Sequence, residues 1–145
     1  MVSTLKSIQK TIEWYDTLPA GFIDIELLIN ARRLLSTRLY KFAGHLAEFN
    51  RDKIAAEHVR KSFEASKRAE LMKSSEGKPI ASHVEAMVQS ECIPYRQKET
   101  EFEQDFSSAK IIYQAAMNVC DVMNQHIANL RGEKNRETIN QGSQS

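Results

Sequence analysis

Lys53, Arg60 and Lys67 stand seven residues apart, with Lys61 and Arg68 beside the last two. At heptad spacing these five cations fall along one flank of a helix. They repeat about every 10 Å along its axis at ~1.5 Å per residue. Such a row, with Lys78 in the loop beyond it, could track a nucleic-acid backbone by neutralising phosphates. Nothing beside it reads bases, so binding of this kind would be independent of sequence. The same cations could instead pair with Glu57, Glu64 and Glu70 at i,i+3 or i,i+4 and form a solvated helix face. Tyr40 and Tyr95 could stack on bases, although aromatic side chains at such positions more often join a core.

Other reactive residue types form no constellation. His45, His58, His83 and His126 lack metal-ligand spacing, and there is neither an HExxH nor a Glu-x-x-His pair of the di-iron kind. No metal and no cofactor are expected. Glu76-Gly77-Lys78-Pro79 lacks the rest of a phosphate-binding loop. Cys92 and His83 have no oxyanion donors or orienting third group, so the chain reads as non-enzymatic. Cys92 and Cys120 are two isolated cysteines, read as reduced, partly buried thiols. Glu99, Glu101, Glu103 and Asp105 suit the start of a helix by complementing its dipole.

The elements that carry these residues are helices. Leu28, Leu35, Phe42, Phe49, Ala56 and Phe63 repeat by seven, with Ala31, Leu39, Leu46 and Val59 between them. This predicts one helix over 25–73, with Asp24 as its N-cap. Its first half reads as core and its second half gathers the stripe. The stretch holds 11 Lys and Arg against 6 acidic residues in a chain of formal net charge +1. Leu5, Ile8, Ile12 and Tyr15 predict a short helix over 3–16. Gly77 and Pro79 end the long helix. Ser82 and Glu85 form a capping-box pattern at the start of a connector helix over 82–92. Phe106, Tyr113, Cys120 and Ile127 repeat by seven and interleave with Phe102, Ala109, Ala116, Met123 and Leu130. This predicts a last helix over 95–131, ending at Gly132.

The fold class that follows is all-α: a long antiparallel, coiled-coil-like helical hairpin with a short N-terminal helix and a small connector helix. Residues 1–131 form a single helical domain, and 132–145 a disordered polar tail. Tyr40, Ile54, Ile111, Ile112, Val119 and Val122 lie off the seams, so the chain is expected to be homo-oligomeric. No apolar run approaches the ~20 residues that span a bilayer, and Met1 to Lys10 carries no signal-peptide pattern. A cytoplasmic protein that does not engage membranes is expected.

In order, length and polarity the chain resembles the UvsY-like phage recombination mediators. The resemblance runs from about Ile25 to Arg131. It lies in the basic stretch Phe63-Glu64-Ala65-Ser66-Lys67-Arg68-Ala69-Glu70-Leu71, the Gly-containing loop from Ser74 to Pro79, a small helix, and the last helix from Lys110 to Arg131. The N-terminal helix with Trp14 has no counterpart in it. What the resemblance implies is a ring-forming protein that binds single-stranded DNA without sequence preference. Such a protein helps a phage recombinase replace the single-strand-binding protein, in the host-cell cytoplasm. Lys67 and Arg68 are the matching DNA-contact positions, with Lys53, Arg60, Lys61 and Lys78 added from the stripe. The last helix is the implied oligomerisation element, through Phe102, Phe106, Tyr113, Cys120, Met123 and Ile127. The alternative is a non-catalytic coiled-coil scaffold with no nucleic-acid role, whose basic helix docks an acidic protein surface.

Overall fold

A computed structural model describes residues 2–74, 77 and 80–143. It is all-helical: α1 (Val2–Asp16), α2 (Ile25–Ser74), α3 (Ala81–Glu91) and α4 (Ile93–Gly142), with no strand among the described residues. α2 begins where expected. Asp24 Oδ1 accepts the amide of Leu27 at 3.0 Å, satisfying a donor that the first turn leaves free. Gly44 does not interrupt α2, in keeping with the unbroken seven-residue phase. Gly77 adopts φ +112°, a conformation that suits glycine between two helices.

Two boundaries differ from the sequence reading. α3 starts at Ala81 with Ile80 in the N-cap position and no side-chain cap, so Ser82 does not close a capping box. Its expected partner, Glu85, is engaged by the Arg68 guanidinium, a charge-assisted pairing stronger than a neutral cap. The expected stop at Gly132 and the disordered tail are also corrected, because α4 continues to Gly142. Gly132 has no positive φ. A glycine costs a helix only about 1 kcal/mol relative to Ala and does not end it unaided. The described residues of this stretch, 132–143, are all exposed.

Packing divides the chain into two compact units, Met1–His45 with Lys110–Ser145, and Leu46–Ala109. In unit 1, α1, the first part of α2 and the second part of α4 surround the larger core. Leu28, Leu35, Leu39 and Phe42 of α2 are buried, as are Ala116, Cys120, Met123 and Ile127 of α4 and Ile8 of α1. Each large apolar side chain so buried contributes roughly 1.5–3 kcal/mol. The helices of this unit run antiparallel. Arg32 meets Asn124 at 2.6 Å, and one turn later Ser36 meets Cys120 at 3.8 Å. α1 is fastened by Arg38, whose Nη1 donates to the Ser7 carbonyl at 2.9 Å and to Thr11 Oγ1 at 3.1 Å. Tyr15 Oη and His126 Nδ1 lie 3.3 Å apart one turn beyond Thr11.

Unit 2 is built differently. Its buried residues are Val84, Val88, Cys92 and Ala109, and none of its α2 residues is buried. Phe49, Ala56 and Phe63 continue the heptad series only half-buried. Phe63 stacks on Tyr95 with ring centroids 4.3 Å apart. A thin apolar seam is thus supplemented by polar links. The chain's described helices include none long and apolar enough to cross a membrane.

Candidate nucleic-acid interface

The stripe residues of unit 2 come together as the heptad spacing required, but not as an open row of charge. Lys53 pairs with Glu103 at 3.3 Å and lies 5.5 Å from the centre of the Phe106 ring. Arg60 Nε donates to Glu99 at 2.5 Å and its Nη1 to Glu64 at 3.0 Å. Lys61 pairs with Glu57 at 2.5 Å. Lys67 reaches Glu91 at 3.0 Å and Glu70 at 3.3 Å. Arg68 forks onto both carboxylate oxygens of Glu85. Lys78 lies outside the described residues. The carboxylates of α3 and α4 that neutralise the stripe were not among those the sequence spacing proposed. Only Glu57, Glu64 and Glu70 were.

Glu64 is the hub of this network. Its Oε1 accepts from Arg60, from Arg96 at 3.3 Å and from the Cys92 thiol at 3.5 Å. Arg96 also donates to Gln89. Partial burial pushes the Glu64 carboxyl up. The hydrogen bonds from Arg60, Arg96 and Cys92 outweigh it and hold the group below its ordinary value of 4.5. The Gln89 amide and the Arg68 guanidinium lower Glu85 in the same way, and Lys61 lowers Glu57. The hydrogen bond to Glu91 holds Lys67 above its usual range. Glu99, then Glu64, raises Arg60. Cys92 is free and buried, its thiol pushed up by burial and then by Glu64. Each of these carboxylates and cations is thus stabilised in its ionised form by a partner already in place. An incoming phosphate would have to displace that partner.

The charge balance of the units follows. Unit 2 has ten Lys and Arg against twelve Asp and Glu, a net of −2 despite the stripe. Unit 1 has ten against seven, a net of +3. The excess has a local source. From Leu27 to His45, α2 carries Arg32, Arg33, Arg38 and Lys41 and no acidic residue. The α4 segment from Lys110 to Arg131 offers Asp121 as its one carboxylate. Arg32 and Arg38 bond to neutral groups, as described above. Arg33 and Lys41 are exposed, and among the described residues neither has a carboxylate partner. Between them Tyr40 is 84% exposed, so it is not a core aromatic, whereas Tyr95 is half-buried against Phe63. In the sequence, Arg33 and Lys41 are marked only by this acid-free run, which the total charge of 25–73 averages away.

The residues assigned to oligomerisation are used within the chain. Cys120, Met123 and Ile127 are buried, and Phe102, Phe106 and Tyr113 are half-buried. The open side of α4 in unit 1 is instead the face of Ile111, Ala115, Asn118, Val122, Gln125 and Asn129, all exposed. Burial pushes the Cys120 thiol up, and its neighbour is the Ser36 hydroxyl. Among the described residues no group of His, Cys, Asp and Glu could hold a metal ion.

Comparison with known proteins adds no relative: the chain matches no family model, no curated protein and no solved structure.

Proposed function

We propose that this protein is a non-catalytic, sequence-independent single-stranded DNA-binding protein of the recombination-mediator kind, with unit 1 as its DNA-facing part. The observation that carries the reading is the acid-free run of α2 opposite an α4 segment with a single carboxylate. It leaves unit 1 at +3 with cations free to meet phosphates. The stripe of unit 2 plays the supporting role, because its cations are neutralised where they stand. DNA would be held by screened Coulomb attraction with release of counterions, so affinity would depend on salt more than on base sequence. A homo-oligomer would multiply such weak contacts along one strand. The step assisted would be loading of a phage recombinase in place of single-strand-binding protein.

The test is fluorescence anisotropy of a labelled homopolymeric oligonucleotide titrated with the full chain, from low to high salt. Binding at low salt that weakens linearly on logarithmic axes is the expected result. Absence of binding at low salt, or affinity indifferent to salt, overturns the reading.

A second reading, a self-assembling helical scaffold, is favoured by the open face of α4. From Ile111 to Leu130 the only Asp, Glu, Lys or Arg is Asp121, and Ile111 and Val122 are 70% and 50% exposed. A solvent-facing helix in a chain with 27% charged residues ordinarily carries more charge. A mass measurement with and without oligonucleotide separates the two. Assembly without DNA binding favours the scaffold.

A further inference from the structure

We infer that the α2 face formed by Arg33, Thr37, Tyr40 and Lys41 seats single-stranded DNA, with the Tyr40 ring stacking on a base and Arg33 and Lys41 meeting the flanking phosphates. The inference rests on the DNA-binding reading and gives it a site. The four positions recur at i, i+4, i+7 and i+8, so they share one side of the helix. All four are exposed. Gly44 follows one turn on, and a Cβ placed there would meet nothing within 4 Å, so the surface just beyond Tyr40 is open.

Three features distinguish Tyr40 from an incidental surface tyrosine. Its 84% exposure leaves the side chain in solvent. Its cationic neighbours are the two of this run that the fold does not use, since Arg32 is bonded to Asn124 and Arg38 clamps α1. No carboxylate within the run from Leu27 to His45 competes with a phosphate. Arg33 and Tyr40 are about 10 Å apart along the helix axis, seven residues at ~1.5 Å each. An aromatic platform between cations is the arrangement that holds unpaired bases without reading them. Every base has a face to stack, but only an unpaired one can present it. A duplex would offer this surface phosphates alone. The seat therefore distinguishes single from double strands, which the net charge of unit 1 cannot do.

The experiment uses the full chain, the same labelled oligonucleotide at low salt, and an abasic oligonucleotide of equal length. Tyr40→Ala should weaken binding to the normal strand by about fivefold to a hundredfold, the range for losing one stacked base. Tyr40→Phe keeps the ring and should bind as the native protein does. The abasic strand should bind native protein and Tyr40→Ala equally. Arg33→Ala with Lys41→Ala should weaken both strands and flatten the salt dependence. Helical circular dichroism confirms that each variant is folded, as expected for exposed positions. Undiminished binding of the normal strand by Tyr40→Ala overturns this seat while the DNA-binding reading stands. Failure of the native protein to bind any strand overturns both.

Discussion

Replacing Glu64 by Gln removes one negative charge from the centre of unit 2 while keeping the side chain's size. The Glu64 side chain is 16% exposed and Arg60 19%, whereas Arg96 is 47% exposed. A hydrogen bond to a charged group contributes about 1.5–3 kcal/mol when shielded, and an exposed ion pair about 0–1. Glu64 lies between these regimes. Gln still accepts one donor through its oxygen, and Arg60 keeps Glu99 at 2.5 Å. The expected loss is therefore roughly 1–2 kcal/mol. With a urea slope near ~2 kcal/mol/M for a small domain, the midpoint should fall by about 0.5–1 M. Urea is the right denaturant because it does not screen charges as guanidinium does. Glu57→Gln is the control. It disrupts a shorter pair, with Lys61 at 2.5 Å, but one whose side chains are 39% and 60% exposed. Its midpoint should not move measurably. If the two variants shift equally, or Glu64→Gln does not shift at all, the network is decoration and the half-buried seam alone holds unit 2.

Two further outcomes follow from the same arrangement. The carboxyls of Glu64 and Glu85 are held below 4.5, so the stability they supply is fully present above that pH and is lost as the pH falls through their folded values. The urea midpoint should hold steady near neutral pH and drop below pH 4.5, and an unchanged midpoint at pH 3 would contradict the ion-pair account. Gly132→Ala should stabilise the end of α4 by about 1 kcal/mol, seen as slower amide exchange over 133–142. Unchanged or faster exchange would mean that Gly132 ends the helix after all.

Much of the scaffold was legible in the heptad phase. Leu28, Leu35 and Phe42, and on α4 Ala116, Cys120, Met123 and Ile127, are seam positions in the sequence and buried in the fold. The phase also carried α2 through Gly44, and Asp24 marked its start. The end of α4 was less legible, because glycine is a weak stop without proline or a left-handed cap. The residues read as an oligomerisation seam are buried or half-buried within the chain, for a geometric reason. A regular seam indicates that a helix is covered, not whether its cover comes from the same chain.

Periodicity is a local property, so the sequence by itself determined the helical runs as far as Arg131 and the apolar seam along each long helix. It also fixed the number of cations on α2. Whether those cations are free was decided only in three dimensions. Arg60 is neutralised by Glu99, 39 residues away, and Arg68 by Glu85, 17 residues away. Spacing along one helix cannot foresee either partner, because α3 and α4 bring both of them. The same packing brought no acidic partner to Arg33 and Lys41 among the described residues and left Tyr40 in solvent. The tertiary structure thus turned the conspicuous basic row into internal support and left the inconspicuous pair beside Tyr40 exposed. Charge acts through distance in space, and sequence separation does not record that distance.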